Sequence, residues 1–450
     1  MKGKKLLALL LCVVMGTGLF SACANKSGEP AARGDEGGNT QESGTKSPAQ
    51  GGSDVTLEVE VDWTDEQLAS FQKVLEQYTQ ETGVSFEVVS VGEDFETQMK
   101  IRMASNDMPD LWITHGWSLI RYKEYLTDLS QESWVSDIND AAKGVITDTD
   151  GTLYVLPVSI SLSNICFNKD VLEECGVDWT KLYTWDDFEK ACEKIRDAGR
   201  NAIIMGAKDS GNAGGLLNSI GLGYYAPEDA PSHNQLEKFL DGSVDLQEAF
   251  DPIYDRIVDW RDRGFFNADY MTLDTVGMKQ MLGAAEGAFC SRTSTYIGAA
   301  LSYYPDANLG LMPYPAAAEG GKQTCAVGEG TCLGVWKDSE NLEAGKAFLE
   351  WLAKPENASQ IIAFDGCTAG LKSTPNDSVV GKMYEEFVEA YGVENIYFDN
   401  MFDRKYLPNG MWNVLSEGAA QLLDGGSKED VGSYMQENFV SLYEEAHGAD

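Results

Sequence analysis

Val55, Leu57, Val59 and Val61 alternate with Thr56, Glu58, Glu60 and Asp62. That period of two predicts a strand. Thr64 and Gln67 have the spacing of a helix-start capping box. Leu68, Phe71, Val74, Leu75 and Tyr78 then recur at helical spacing, and Gly83 marks the end. A second apolar run, Val84 to Val91, predicts a strand. Phe95, Met99 and Met103 recur every fourth residue and predict a helix, which Pro109 and Asp110 interrupt. Leu111, Trp112 and Ile113 form a third short strand. Strand, helix, strand, helix, strand implies a parallel sheet with covered faces. Ligands of such sheets bind beyond the carboxyl ends of the strands. Candidate contacts there are Asp62 and Trp63 after the first strand, Glu93 after the second, and His115 and Trp117 after the third. An indole in such a loop either stacks on a flat, weakly polar ligand face or packs inward.

The pattern farther along is mainly helical with short strands between. Thr184 caps a helix whose buried face is Phe188, Ala191, Cys192 and Ile195, ended by Gly199. Ala202 to Met205 reads as a buried strand. It opens into the polar, glycine-rich turn Lys208 to Gly215, where Asp209 and Asn212 either face a ligand or serve the turn itself. Ala344, Ala347, Phe348, Trp351 and Leu352 outline another helix, stopped by Pro355. Val431, Tyr434, Met435, Asn438 and Leu442 outline one at the C-terminus.

The first fifty residues follow a different rule. Lys2, Lys4 and Lys5 precede an apolar run, Leu6 to Val14, and small residues lead into Ser21, Ala22 and Cys23. This is the layout of a secretory signal peptide over 1–22, too short in its apolar part for a spanning helix. Phe20-Ser21-Ala22-Cys23 resembles the bacterial lipobox. The resemblance implies that cleavage leaves Cys23 first, carrying a diacylglycerol. Between Ala24 and Asp54 there is no Val, Ile, Leu, Met or aromatic residue. Such a stretch cannot bury a core, and 23–54 is expected to be an acylated cysteine followed by a flexible tether.

With 450 residues, 43% of them hydrophobic, the chain has more than one small core requires, so two lobes are expected. The formal charge of −38 argues against nucleic acid and anionic lipid surfaces as partners. Three histidines make a His-rich metal site improbable on composition. Of nine cysteines, Cys12 leaves with the signal and Cys23 takes the lipid; the odd remainder has no C-x-x-C spacing. Cys166, Cys175 and Cys192 read as small core residues, and one or two disulfides stay open. Asp148-Thr149-Asp150-Gly151 lacks the other ligands of a calcium loop. No P-loop and no Gly-x-Ser-x-Gly elbow with a suitable histidine occurs.

Four segments carry a family resemblance. They are Met103-Ala104-Ser105-Asn106-Asp107-Met108-Pro109-Asp110-Leu111; Asp150-Gly151-Thr152-Leu153-Tyr154-Val155-Leu156-Pro157; Phe167-Asn168-Lys169-Asp170-Val171-Leu172 with Thr184-Trp185-Asp186-Asp187-Phe188; and Glu286-Gly287-Ala288-Phe289 with Gly310-Leu311-Met312-Pro313-Tyr314-Pro315. In this order the chain resembles the family 1 extracellular solute-binding proteins of carbohydrate-type ABC transporters, the class that includes maltose-binding proteins. The resemblance runs from about Val55 to Asp450. It implies an α/β, two-lobed periplasmic-binding-protein-like fold of the class II type, with a ligand cleft between lobes joined by crossover hinges. Lobe one is then expected at 55–158 plus 292–334, and lobe two at 159–291 plus 335–450. The crossovers would lie near 159–163, 290–293 and 333–336. Arg292, at one of them, offers a fork of donors to ligand hydroxyls or a carboxylate, or joins a salt bridge. Glu329 lies between Gly328 and Gly330, and Trp412 stands where the family often places a stacking aromatic in lobe two.

The resemblance further implies a monomer with no cofactor. It would sit on the extracellular face of the bacterial cytoplasmic membrane, touch the membrane through its lipid alone, and hand a solute to ABC transporter permease subunits. The expected solute is an oligosaccharide or sugar derivative. A glycerol phosphate ester, a polyamine or a peptide in the same fold is the alternative. A surface glycoside hydrolase using two carboxylates is a second class of function.

Overall fold

The computed structural model describes residues 55–448, apart from Thr64, Glu93, Asp94, 115–118, Thr149 and Gly366. The expected signal peptide, Cys23 and the tether lie outside the described residues, as do the first residue of the expected capping box and three of the candidate ligand contacts: Glu93, His115 and Trp117.

Two sheets organise the chain from residue 51 onward, which forms one compact unit. The first contains β1 (Thr56–Val61), β2 (Ser85–Ser90), β3 (Leu111–Thr114), β4 (Leu156–Pro157) and, from much later in the chain, β10 (Cys332–Val335), in the order β2-β1-β3-β10-β4. β1 pairs in parallel with both β2 and β3, as the alternating pattern and crossover helices required. Helix Asp65–Thr82 buries Phe71, Val74, Leu75 and Tyr78, and Gly83 ends it at a φ of 81°. Because both faces of a parallel sheet are covered, Glu60 is also fully buried. Arg102 compensates it, pairing with both Glu58 and Glu60.

The second sheet is built on the long β5 (Ser159–Asn168). Its order is β12-β9-β5-β7-β6, with β6 (Asn201–Ile203), β7 (Gly287–Thr293), β9 (Gln323–Glu329) and β12 (Ile396–Asp399). β8 (Leu309–Met312) and β11 (Thr368–Ala369) also pair with β5. β5 is antiparallel to β7 and β9, while β6 runs parallel to β7. The capped helix expected after Thr184 forms as Trp185–Asp197, with a complete capping box between Thr184 and Asp187.

The chain is therefore divided differently from the expectation drawn from the resemblance. The resemblance places 292–334 in lobe one, but β8 and β9 lie in the second sheet. Of that stretch, only 332–334, within β10, joins the first sheet. Helices Leu342–Leu352 and Pro355–Asp365, expected in lobe two, pack on the first sheet's side, against β10 and helix Asp65–Thr82 respectively. The chain passes between sheets at Val158, at Gly330 and Thr331, and just before Thr368. No passage occurs at 290–293, where β7 stays paired with β5. The three passing segments are tied together: Val158 and Ser159 donate to the Thr331 carbonyl at 2.9 and 3.2 Å, Gly330 donates to that of Ser159 at 3.1 Å, and Gly370 to that of Val158 at 3.1 Å. A Cβ on Gly370 would stand 2.8 Å from the Pro157 carbonyl carbon, so this approach requires glycine.

Candidate ligand-binding cleft

Strand direction locates the cleft. Cys332, the first residue of β10, lies opposite Thr114, the last of β3, so the second passage meets the carboxyl end of the first sheet. In the second sheet, Thr293 at the end of β7 pairs with Ser163, and Glu329 at the end of β9 pairs with Ile160. Both lie near the start of β5, where the first passage enters. Both sheets thus turn their carboxyl ends toward the passages, and the loops there face a common space.

On the second lobe, β6 leads into helix Gly211–Tyr225, buried nearly throughout, whose first turn opens at this end. Arg292, one residue from the end of β7, donates from Nη1 to the Gly211 carbonyl at 3.1 Å. Its guanidinium carbon lies 5.1 Å from the centre of the Tyr296 ring. Tyr296 donates from its hydroxyl to Asn212 Oδ1 at 3.2 Å. Trp412 is the second residue of helix Met411–Leu423, entered through Gly410 at a φ of 101°, a left-handed conformation that favours glycine. A Cβ on Gly215 would meet Arg292 Nη1 at 3.0 Å and the Trp412 ring at 3.8 Å. Glycine at this place therefore lets the arginine and the indole lie side by side on the helix.

Trp412 also carries the Arg404 guanidinium 5.6 Å from its ring centre. Arg404, Asp403 and Leu407 to Gly410, with Arg121 from the first lobe, line a cavity of about 340 Å³. Asp403 is buried and accepts from Asn218 Nδ2 at 2.5 Å. Burial pushes its carboxyl above the usual range, against the pull of Arg404 and Asn218. A hollow of about 550 Å³ between helix Asp65–Thr82 and β2 belongs to one lobe and lies away from the strands' carboxyl ends, so it is not the cleft.

The candidate residues divide accordingly. Arg292 and Trp412 come together on the second lobe, and Arg292 makes no ion pair among the described residues. Asp62 is half-exposed at the end of β1. Trp63 is a correction: its ring is buried against Phe71 with centres 5.0 Å apart, because the first turn of the following helix needs an apolar plug. Asn212 is another. It is 2% exposed, and its amide donates to the Gly206 carbonyl at 2.7 Å and Thr275 Oγ1 at 3.1 Å, leaving no donor for a ligand. Asp209 is exposed but serves the fold, accepting from the Thr275 backbone N–H at 2.8 Å. That bond, the largest cause, holds its carboxyl below the ordinary value. Glu329 ends β9, and its side chain lies outside the described residues. Arg121, Tyr296, Asp403 and Arg404 were not singled out from sequence. Tyr296 had a signal, since it stands four residues after Arg292 in a helix-start pattern.

A model of the bacterial extracellular solute-binding proteins matches residues 62–359, most of the described chain. The chain belongs to this family. Among curated relatives of this solute-binding protein is the melibiose/raffinose/stachyose-binding protein MelE of Bacillus subtilis, 26% identical over 397 residues, which are 86% of this chain and 90% of MelE. A Bacillus subtilis binding protein solved in an open conformation superposes with a TM-score of 0.79 at 25% identity, covering 87% of this chain and 98% of that one. A sugar transporter of Bacillus licheniformis, solved with stachyose, gives 0.71 at 26% identity, covering 86% and 100%. The solute-binding protein shares their two-lobed architecture. Among its described residues no group of three or more His, Cys, Asp and Glu is placed to hold a metal ion, and no helix is long and apolar enough to cross a membrane.

Proposed function

We propose that this solute-binding protein captures an oligosaccharide or sugar derivative between its lobes and delivers it to the permease subunits of an ABC importer. The observation that carries the reading is Trp412, half-buried beside Arg292, with the Arg404 guanidinium 5.6 Å from its ring centre. An aromatic face flanked by guanidinium donors suits a sugar ring, which presents an apolar face and a rim of hydroxyls. The sugar ligands named for MelE and for the Bacillus licheniformis protein support the same class. Binding draws the lobes together by a hinge at the three tied passages. No bond in the solute is broken. Cys23 carries the lipid that keeps the monomer beside its transporter, and 24–54 is the tether.

A thermal-shift screen of mono- and oligosaccharides tests the ligand class. A ligand present at a hundred times its Kd stabilises the folded state by about 2.7 kcal/mol. No shift with any sugar, beside a clear shift with spermidine, a peptide or glycerol phosphate, sinks the carbohydrate reading. Replacing Cys23 with Ala should release the protein from cells into the medium, and its retention would refute the anchor.

A further inference from the structure

The cleft wall on the second lobe holds more positive charge than a neutral sugar requires. Arg292 and Lys279 approach the same ring, that of Tyr296, at 5.1 and 5.0 Å. Among the described residues neither forms an ion pair, although acidic residues outnumber basic ones 72 to 34 in the chain. Arg292 Nε is buried and has no hydrogen-bond partner. Other half-buried arginines are treated differently. Arg102 has Glu58 and Glu60, and Arg256 and Arg263 share Glu189.

The acids near Arg292 and Lys279 are committed elsewhere. Asp209 accepts from the Thr275 N–H, and Asp274 accepts from the Gly277 N–H and pairs with Lys208 at 3.1 Å. Burial first, and the Arg292 charge second, hold the Lys279 ammonium below its ordinary value, the direction expected of a cation lacking a counter-ion. Two like charges on one ring repel, and an anion placed between donor groups of this kind relieves that repulsion. The adjoining helix adds to the field. Ser210 makes no side-chain cap at Gly211, and the helix N-terminus is positive.

We propose that the solute carries an anionic group, a uronate carboxylate or a sugar phosphate, which Arg292 binds and to which Lys279 lends positive potential. This rests on the sugar-receptor reading and narrows it. Arg292 is then the residue that selects acidic over neutral oligosaccharides. A guanidinium suits this role because its planar fork matches either oxyanion.

Calorimetric titration of the full chain decides it. The probes are di- and trigalacturonate, neutral galactose oligomers of the same length, and galactose 1-phosphate. At low ionic strength at least one acidic probe should bind about tenfold or more tightly than its neutral counterpart, and the ratio should shrink with added salt. Arg292→Gln should bring the ratio near one, Lys279→Gln should reduce it, and Arg292→Lys should retain part of it. Tighter binding of galacturonate assigns a carboxylate, and tighter binding of galactose 1-phosphate assigns a phosphate. Neutral oligomers binding as tightly as acidic ones overturns this inference and leaves the sugar receptor standing. So does an acidic preference that survives Arg292→Gln. Absence of binding by every saccharide overturns both.

Discussion

Gly214 sets how closely helix Gly211–Tyr225 lies on helix Met411–Leu423, and an alanine there tests whether that contact supports the cleft. A Cβ at Gly214 would stand 2.7 Å from Ser416 Cα and 3.0 Å from its Cβ. Non-bonded carbons prefer roughly 3.5–4.0 Å, so the helices must part by about 1 Å. Ser416 Cα is backbone and cannot rotate away. Overpacking of this kind costs about 1–3 kcal/mol. Alanine offsets about 1 kcal/mol of that through its better helix propensity. The expected net effect of Gly214→Ala is destabilisation by up to about 2 kcal/mol.

Gly144 is the control. It lies in helix Asp140–Ile146, and no heavy atom stands within 4 Å of its added Cβ. Gly144→Ala should be neutral or stabilising by up to about 1 kcal/mol. Urea unfolding followed by circular dichroism should therefore move the two midpoints in opposite directions at similar slope. The shifted helix also carries the Gly211 carbonyl that holds Arg292, so Gly214→Ala should weaken solute binding as well. A Gly214→Ala midpoint at or above that of the parent would refute the reasoning, because the close approach would then impose no constraint.

Trp412→Ala should weaken saccharide binding by roughly ten- to a hundredfold, or about 1–3 kcal/mol, with Trp412→Phe retaining much of it; equal calorimetric Kd values would remove Trp412 from the site. The Asp403 carboxyl is raised in the folded state, so its contribution to stability is full below its unfolded value and is lost as pH rises through the folded one. Asp403→Asn keeps an acceptor for Asn218 and should be at least as stable as the parent at pH 7. The stability difference should move in the variant's favour as pH rises above about 4, and urea midpoints across that range check it. Cys166, Cys192, Cys290 and Cys325 are buried, and burial pushes the Cys290 thiol up to about 12, whereas Cys175 is half-exposed. A thiol reagent should label Cys175 rapidly in the native protein and these four only after denaturant; prompt labelling of Cys290 would contradict its burial.

Local pattern carried the parts of this protein whose physics is local. The alternation from Val55 to Val61, the helical spacing from Leu68 to Tyr78 and the cap at Thr184 each appear where the residues alone placed them. The rule that ligands gather at the carboxyl ends of strands points to the end of both sheets at which Arg292 and Trp412 stand. The resemblance supplied the two-lobed class, because its motifs survive as short segments whatever they pack against. It did not decide which lobe each later segment joins. β8 is a short apolar run and β9 a mixed one, either of which would fit either sheet, and only pairing with the long β5 assigns them.

The same limit governs side chains. Trp63 and Trp412 look alike in sequence, yet one is buried beside Phe71 and the other is half-buried with Arg404 over its ring. Sequence leaves Asn212 to face a ligand or serve its turn, and the fold decides for the second: Gly206 nearby and Thr275 and Tyr296 from far along the chain take up its amide. Sequence by itself determined the local elements and the class, because period, capping and motif spacing depend on near neighbours. Tertiary structure alone decided which polar groups are left for a solute, because that depends on contacts between residues far apart along the chain.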